Sequence, residues 1–438
     1  MEWGIKKRLK ERGEELKQEG DKLFQNFQKN PSVQNKERWK ENKKVLEDLE
    51  KIEVTKKYLF VKNDFHVNSI NNTKRLASYL KKKKGRNMVK KLKDENGQIK
   101  TKEEDLREIM ASYYEKLYAN KETEMSEGVV VRKLDPQDQI GLNKTITSKE
   151  IEEVINNLKP NSSPGPDGFT SNFYKIFQPE ITPNLEILFN EILKNRTIPE
   201  TWKRSEIITI LKPNKDESDP NSYRPITLCN VDYKIFTKLL ANRLTDIIPK
   251  LIGEDQYGFI KNRRLADPIR NILNVINQAT REKEKLLLLK LDVYKAFDTV
   301  NHHYLQQVCE EYNLGREFCE VIKELYKDNL AQLLINGTRT RIIKINSGTK
   351  QGCPLSPILF ALAIEPLANF IREDDKIKGF KIARELIKIN LFADDAMVLM
   401  GSPMESIKEV IQTVKKFENL SGLAINIQKS EILHKNLS

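Results

Sequence analysis

Three aspartates in two short apolar segments carry the clearest chemistry of this 438-residue chain. Asp292 ends the run LLLLKLD, and Asp394 and Asp395 stand between two apolar stretches in KINLFADDAMVLM. A carboxylate in apolar surroundings is costly unless it is paired, and two adjacent acids also repel each other. A divalent cation removes both penalties. The pattern predicts a metal site, with a helix N-cap for Asp292 and a plain Asx turn for the pair as the structural alternatives.

The segments around these aspartates predict the elements that position them. Residues 286–293 form an apolar run broken by Lys290, which is typical of a strand covered on both faces. Residues 389–393 and 396–400 predict two short strands joined by a turn at Asp394 and Asp395. Because consecutive strand residues point to opposite faces, at least one of this pair should project toward the surroundings of Asp292.

A glycine- and proline-rich loop lies between the two aspartate segments, in SGTKQGCPLSPILFALAIEPLANFI. Ser356 is expected to cap a helix that begins at Pro357. Upstream, AQLLINGTRTRIIKI predicts a hairpin that turns at Asn336 and Gly337. Strands and helices alternate without the regularity of βαβ units, so an α+β fold is favoured over a doubly wound sheet.

Charge is concentrated at the beginning of the chain. The formal net charge is +13, and residues 1–100 hold 28 Lys and Arg against 15 Asp and Glu, so the remaining residues are balanced. This basic segment predicts extended helices and a polyanionic partner. Its densest part is Lys81, Lys82, Lys83 and Lys84 followed by Arg86, which indicates either phosphate-backbone binding or a solvated helix face.

Several classes of protein are excluded by composition. The chain has no apolar run long enough for a membrane span, and its basic N-terminus lacks the apolar core of a secretory signal. Its four cysteines are far apart without CxxC spacing, which excludes a zinc knuckle and a disulfide scaffold. We expect reduced thiols and an intracellular protein that does not enter a membrane.

Turn and cap signals continue after the basic segment. Asn96 and Gly97 predict a hairpin turn. Two capping boxes are expected to open amphipathic helices, Thr101 with Glu104 and Thr147 with Glu150. The stretch NSSPGPDGF at residues 161–169 is expected to be a rigid loop.

An ordered set of sequence blocks resembles a reverse transcriptase, with the spacing found in non-LTR retrotransposons: LDVYKAFD, SGTKQGCPLSPILF and LFADD. Further stretches resemble the polymerase of long interspersed elements of the LINE-one type, namely LASYLKKKKGRNMVKKLKDENGQIKT, SSPGPDGFTSNFY, SYRPITLCNVDYKIFTKLLANRL, DQYGFIKNRR and SGLAINIQKS. The resemblance extends over residues 75–434. It implies an α+β fold of fingers and palm preceded by a basic, mainly helical N-terminal extension.

The resemblance also implies roles for the residues of the metal site. Asp292, Asp394 and Asp395 would bind two Mg²⁺ ions together with the backbone carbonyl of Val293, with Mn²⁺ as an alternative ion. These ions activate the primer 3′-hydroxyl and stabilise the leaving pyrophosphate. Lys429 in NIQKS matches a lysine that protonates this pyrophosphate. A solvated charge is the plain alternative for Lys429.

The resemblance also implies which residues contact the nucleotide. Phe297 matches the residue that stacks beneath the incoming sugar and leaves no room for a 2′-hydroxyl, with an ordinary core Phe as the alternative. Gln351 and Gly352 match the loop that contacts the templating base pair. Arg224 in SYRPI, with Lys212 in ILKPN as the weaker candidate, matches residues of the fingers that meet the nucleoside triphosphate.

The expected organisation is an N-terminal extension at residues 1–100, fingers at 101–280 and a palm at 281–438. Neither the endonuclease domain nor the thumb of the full-length relatives is expected in this chain, so it is interpreted as a partial open reading frame.

The expected function is RNA-directed DNA synthesis from deoxynucleoside triphosphates on an RNA template and a DNA primer, in the nucleus and cytoplasm. An RNA-binding protein of the element is a further candidate partner, and the oligomeric state is left open. A non-catalytic RNA-binding remnant is the alternative function. A maturase-like intron reverse transcriptase is less favoured, since Phe392 stands where that group more often has Tyr.

Overall fold

The structure of the chain is a computed structural model that describes residues 88–120, 129, 131–160, 162–382 and 385–437, and all but four of residues 15–45. The chain divides into two compact units, residues 1–83 and 84–438. In the first unit, residues 18–26 and 34–45 are helical, and the ring centroids of Phe24 and Trp39 lie 5.3 Å apart.

The second unit contains helices and strands throughout its described part. Its strands are β1 (Leu92–Lys93), β2 (Ile99–Lys100), β3 (Arg204–Leu211), β4 (Tyr223–Leu228), β5 (Leu286–Asp292), β6 (Asn329–Ile335), β7 (Thr338–Arg339), β8 (Ile343–Ile345), β9 (Phe380–Ile382), β10 (Glu385–Ile387), β11 (Ile389–Phe392), β12 (Asp395–Met400) and β13 (Glu431–Lys435). Its α-helices are α1 (Glu103–Leu117), α2 (Pro136–Asn143), α3 (Ser148–Asn156), α4 (Ser171–Ile176), α5 (Gln178–Asn195), α6 (Glu200–Lys203), α7 (Val231–Leu251), α8 (Ala266–Glu282), α9 (Ala296–Thr299), α10 (His302–Glu311), α11 (Arg316–Tyr326), α12 (Ser356–Glu373) and α13 (Pro403–Ser421).

A four-stranded antiparallel sheet carries the aspartates predicted from the sequence. Its strand order is β11-β12-β5-β13. The central strand β5 is covered on both faces, as predicted: Leu289 and Leu291 belong to the main hydrophobic core, whereas Leu286 and Leu288 pack with residues of α8. Such burial holds the strand rigidly, so the residue at its end has a fixed position.

A second, five-stranded sheet has the order β4-β3-β6-β7, with β8 paired to β6. Strands β3 and β6 are parallel, and the other pairs are antiparallel. The apolar face of α1 packs on this sheet: Leu106, Met110 and Tyr114 share a buried cluster with Ile207 and Leu333. These mainly antiparallel sheets with helices confirm the α+β class.

The hairpin and turn predictions are confirmed. The β1–β2 hairpin turns at residues 94–98 with Gly97 at φ 78°, and the β6–β7 hairpin turns at Asn336 and Gly337, both with positive φ. Positive φ at both central residues is the geometry that an Asn-Gly turn favours.

Of the predicted helix caps, one is confirmed and two are wrong. Thr147 and Glu150 form the reciprocal capping box that opens α3. In contrast, α1 begins at Glu103 with Lys102 as its N-cap, so Thr101 lies one position too early to cap it. Similarly, Ser356 is the first residue of α12, where a side chain can no longer cap the helix, and Leu355 is its N-cap.

The unit boundary lies nearer the N-terminus than the expected end of the extension at residue 100. Residues 88–100 belong to the second unit, since Asn336 Oδ1 accepts a hydrogen bond of 2.9 Å from the Val89 N–H and the Lys93 N–H donates to the Ser218 carbonyl. Leu92 is fully buried there. The assignments of fingers and palm remain predictions. None of the described helices is both long and apolar enough to span a membrane.

Candidate active site

The two aspartate segments meet at one end of the four-stranded sheet. Strand β12 pairs with β5 in a register that places Asp395 directly opposite Asp292. Asp394 lies in the turn between β11 and β12, next to Ala393, which has a left-handed backbone with φ 58°. The predicted hairpin is present, but its turn is Ala393 and Asp394, one position earlier than predicted, and Asp395 is the first residue of β12. This tight connection brings all three carboxylates to the same end of the sheet.

The backbone around Asp292 is held by the segment that leads into β13. The Asp292 N–H donates to Ser430 Oγ at 3.3 Å, and the Asp292 carbonyl accepts from the Asn426 N–H at 2.7 Å. Its side-chain Oδ2 is buried without a hydrogen-bond partner among the described residues, and Lys429 Nζ lies 3.5 Å away. A buried carboxylate oxygen with unused acceptor capacity suits a cation.

The charges of the other two carboxylates act on the ionisation of Asp394. Burial raises the pKa of Asp394 above its usual value, and the negative charges of Asp395 and Asp292 raise it further. Arg224, which is exposed on β4, acts in the opposite direction. Asp394 thus lies close enough to Asp292, Asp395 and Arg224 for their charges to change its pKa.

The chemistry of these donors fits divalent cations. Hard ions such as Mg²⁺ are bound through carboxylate and carbonyl oxygens, and Asp292 provides one such oxygen without a competing hydrogen bond. Within the described ranges, no three His, Cys, Asp or Glu side chains converge closely enough to hold an ion by themselves. The three carboxylates thus lie at one end of the sheet without forming a complete set of ligands in the described part of the chain.

A group of basic side chains faces the same edge. The pKa of Lys212 is lowered first by burial and then by the positive charges of Lys429 and Arg224. Lys212 Nζ donates to the Asn221 carbonyl at 3.4 Å. The structure therefore brings together Lys212, Arg224 and Lys429, which the sequence analysis had assigned to the triphosphate and the leaving pyrophosphate.

An ionisable pair not assigned from the sequence lies beneath this site. Lys295 Nζ lies 4.6 Å from the ring centroid of Tyr113, and Asp298 is only 3% exposed. Burial lowers the pKa of Lys295 and raises that of Asp298, while the attraction between the two charges opposes both shifts. Both residues stand in the block LDVYKAFD, in which Lys295 has a left-handed backbone with φ 45° that a sequence pattern does not reveal.

Asp298 holds the Gln351 side chain. Its Nε2 donates to Asp298 Oδ1 at 2.9 Å, and its backbone carbonyl accepts from the Thr227 N–H at 2.7 Å. The next residue, Gly352, has φ 119°, and a Cβ there would lie 2.5 Å from the Thr227 carbonyl oxygen. The glycine thus permits close approach of the loop to strand β4.

Phe297 lies between two other aromatic rings. Its ring stacks on Phe360 at a centroid distance of 4.6 Å and meets the ring of Phe259 edge-on at 5.9 Å. Phe297 is partly buried against the main core. The ring is therefore fixed by packing and still has accessible surface, which is compatible with both interpretations made from the sequence.

The basic run Lys81–Lys84 and Arg86 lies outside the described residues. The Val293 carbonyl follows directly after β5, where Val293 forms an isolated bridge with Ile425. The three aspartates and Val293 thus lie at one end of the four-stranded sheet, whereas Arg224 lies on β4 of the other sheet and Phe297 lies in α9.

A family model described as "Reverse transcriptase (RNA-dependent DNA polymerase)" matches residues 210–438, which include the whole carboxylate edge. The chain belongs to the reverse transcriptase family. The match begins in β3 and contains Lys212 and Arg224 as well as the three aspartates.

Relatives of this chain are proteins of mobile elements. The transposon TX1 uncharacterized 149 kDa protein of Xenopus laevis is 28% identical over 80% of this chain and 27% of its own length. The RNA-directed DNA polymerase from mobile element jockey of Drosophila funebris is 25% identical, over 65% of this chain and 31% of its own length. The Pol polyprotein from the type-1 retrotransposable element R2 of Nasonia vitripennis is 27% identical, over 66% and 27%.

These relatives are non-LTR retrotransposon proteins, which confirms the resemblance inferred from the sequence blocks. The chain spans less than a third of the length of each of them.

Proposed function

We propose that this chain catalyses RNA-templated DNA synthesis, using Asp292, Asp394 and Asp395 to bind two Mg²⁺ ions. The observation that carries the proposal is the β5–β12 register, which places Asp395 opposite Asp292 with Asp394 in the adjoining turn, in a chain of the reverse transcriptase family. In this proposal the four-stranded sheet is the palm and the region before it provides the fingers.

The metal ions supply activation of the primer 3′-hydroxyl and charge stabilisation on the phosphates when they are bound. The acidic edge holds them, and the Val293 carbonyl is an additional oxygen ligand. Arg224 and Lys212 bind the triphosphate from the opposite side, since positive charges stabilise the charge that develops on phosphate oxygens. Lys429, whose Nζ lies 3.5 Å from Asp292 Oδ2, is the proposed proton donor to the departing pyrophosphate.

The remaining residues select and orient the substrates. Gln351 and Gly352 form one wall of the site for the templating base pair, with Gln351 held by Asp298. Phe297 lies beneath the deoxyribose and excludes a 2′-hydroxyl. The substrates are deoxynucleoside triphosphates, an RNA template and a DNA primer.

The cellular setting follows from the same proposal. The basic segment at residues 1–100 adds affinity for RNA phosphates, with Lys81–Lys84 and Arg86 as its densest part. An RNA-binding protein of the same element is a candidate partner. Synthesis of element DNA would place the protein in the nucleus, after translation in the cytoplasm.

Asp394→Asn tests the metal assignment in a primer-extension assay on a homopolymer RNA template with Mg²⁺. The change is nearly isosteric and removes a charged ligand, so extension should fall about a thousandfold or more while RNA binding is retained. Glu431→Gln is the matched control, because Glu431 is an exposed carboxylate on the neighbouring strand β13. Equal extension by Asp394→Asn and the parent chain would contradict the proposal.

The same assay distinguishes the proposed catalysis from the non-catalytic alternative. A parent chain that binds RNA but extends no primer, with either Mg²⁺ or Mn²⁺, would favour the RNA-binding remnant. Extension by the parent chain that is lost in Asp394→Asn would exclude it.

A further inference from the structure

The turn that carries Asp394 depends on an unusual backbone conformation. Ala393 has φ 58°, in the left-handed region that L-residues other than Gly, Asn and Asp seldom adopt. Such a conformation persists only where the surrounding structure determines it. Contacts made by Ala393 therefore stabilise the backbone conformation that orients the Asp394 side chain.

Gln256 supplies that contact. It is fully buried, and its side-chain Oε1 accepts hydrogen bonds from the Ala393 N–H at 3.1 Å and from the Gly258 N–H at 2.8 Å. Its Nε2 has no hydrogen-bond partner within the described part of the chain. The amide oxygen, rather than the amide nitrogen, thus holds the side chain against the turn.

Backbone contacts place Gln256 beside strand β11. The Leu391 N–H donates to the Asp255 carbonyl, and the Tyr257 N–H donates to the Leu391 carbonyl, both at 2.8 Å. Gly258 approaches the turn so closely that a Cβ at this position would lie 2.1 Å from the Ala393 nitrogen. The loop at residues 253–258 is thereby fitted against the last residue before Asp394.

The loop is itself anchored to helix α12. Arg372 Nε donates to Asp255 Oδ2 at 2.8 Å, and the buried Glu365 accepts from both Arg372 and the Gly253 N–H. Arg263 donates to the Gln256 carbonyl at 2.6 Å. These ion pairs and hydrogen bonds make the loop a rigid support rather than a mobile connection.

We propose that Gln256 is a positioning residue that fixes the Ala393–Asp394 turn and so orients Asp394 for metal binding. Gln256 does not touch the carboxylates; it acts through the Ala393 N–H. The inference rests on the proposed function, because it requires Asp394 to be a metal ligand. It predicts that loss of the amide oxygen weakens metal binding while the fold persists.

The test measures Mn²⁺ binding to the full 438-residue chain by electron paramagnetic resonance, so that it does not depend on catalysis. Gln256→Met keeps the length of the side chain and removes its oxygen. Residues hydrogen-bonded to metal ligands commonly contribute 10–100-fold to affinity, and Gln256 acts one residue further from the ligand, so the Mn²⁺ dissociation constant should rise about tenfold. Gly258→Ala, which forces a Cβ into the Ala393 nitrogen, should have the same effect.

Asn190→Leu is the matched control for a purely structural loss. Asn190 on α5 also bridges backbone groups, accepting from the Ile146 N–H at 2.8 Å and donating to the Ile146 carbonyl at 2.9 Å, but it belongs to the region before the carboxylate sheet. Circular dichroism melting establishes that each variant is folded. Asn190→Leu should lower the melting temperature and leave the Mn²⁺ dissociation constant unchanged.

Asp394→Asn distinguishes the two proposals. Weak Mn²⁺ binding by Asp394→Asn together with parent-like binding by folded Gln256→Met and Gly258→Ala would overturn the role of Gln256 and leave the proposed function standing. Parent-like Mn²⁺ binding by Asp394→Asn would contradict the metal assignment itself. If Gln256→Met does not fold, Gly258→Ala and Gln256→Asn, which retracts the amide by one methylene, decide the question.

Discussion

The ammonium of Lys429 lies 3.5 Å from Oδ2 of Asp292, although the two residues are far apart in the sequence. Lys429 is 56% exposed, so it can turn from the carboxylate toward a bound phosphate. Asp292 Oδ2 is buried although its side chain is 28% exposed, whereas the Lys429 side chain is mostly exposed, so only one partner of this ion pair is freely accessible to solvent. That arrangement suits a proton donor better than an ion pair that stabilises the fold.

Lys429→Gln should slow single-nucleotide incorporation about a hundredfold or more, since general acid catalysis typically contributes 10²–10⁴-fold. Stability should change little, because exposed ion pairs contribute about 1 kcal/mol or less. Lys290→Gln is the control, since Lys290 is a partly exposed lysine on the adjacent β5 whose Nζ lies 3.9 Å from Glu431. Equal rates for Lys429→Gln and Lys290→Gln would favour the solvated-charge interpretation.

The hairpin and the central strand could be predicted from sequence because they depend on local periodicity, whereas the pairing that places Asp395 opposite Asp292 joins two distant strands. Alternation with period two and an Asp pair between apolar runs predict a hairpin without knowledge of the rest of the chain. The role of Gln256 could not be predicted in this way. Its contact with Ala393 joins positions 137 residues apart, and the turn itself requires a backbone conformation that alanine rarely adopts.

Errors of one residue at helix ends have a similar cause. Thr101 and Ser356 both stand near a helix start, but which residue becomes the N-cap depends on how the preceding segment packs. Lys295 is a further case, because its ammonium is held over the ring of Tyr113, which comes from the distant helix α1. Charge pattern alone predicts a solvated lysine there.

Phe297→Val tests the steric gate. Removing the ring should raise incorporation of ribonucleotides relative to deoxynucleotides by about tenfold or more, because a small group in a pocket is worth roughly 10–200-fold in discrimination. The measurement is the ratio of kcat/KM for the two nucleotides. Phe360→Leu is the control: Phe360 is fully buried beneath Phe297 and should affect stability instead. An unchanged ratio in Phe297→Val would identify Phe297 as a core residue.

Gly352→Ala separates a structural role from a substrate contact. With φ 119° and only 2.5 Å between an added Cβ and the Thr227 carbonyl oxygen, alanine should lower the free energy of unfolding by about 1–3 kcal/mol. Gly97→Ala is a matched comparison, because Gly97 also has positive φ but has no atom within 4 Å of an added Cβ. Gly97→Ala should lower the free energy of unfolding by less than Gly352→Ala does.

Urea unfolding of both glycine variants gives these free energies. If Gly352→Ala unfolds like the parent chain but extends primers poorly, the glycine acts mainly through contact with the substrate. Equal destabilisation by the two variants would show that the approach to strand β4 contributes nothing beyond the backbone conformation.

His302 should make the fold sensitive to mild acid. Burial lowers its pKa from 6.5 to about 4, while Nε2 lies 2.8 Å from the Gly348 carbonyl oxygen. Between pH 6.5 and pH 4, His302 is mostly protonated in the unfolded chain and mostly neutral in the folded chain. Protonation therefore favours the unfolded chain, and the free energy of unfolding decreases as the pH falls from 6.5 toward 4. At pH 5 this single group should lower the free energy of unfolding by about 2 kcal/mol relative to pH 7.5.

His302→Gln removes the titrating group and keeps an amide that can donate to the Gly348 carbonyl. The loss of stability between pH 7.5 and pH 5, measured by urea unfolding, should therefore be about 2 kcal/mol smaller in this variant than in the parent chain. The neighbouring His303 is exposed, and His303→Gln controls for the loss of an imidazole elsewhere on α10. An identical pH dependence in His302→Gln and the parent chain would show that His302 accepts its proton equally well in both states.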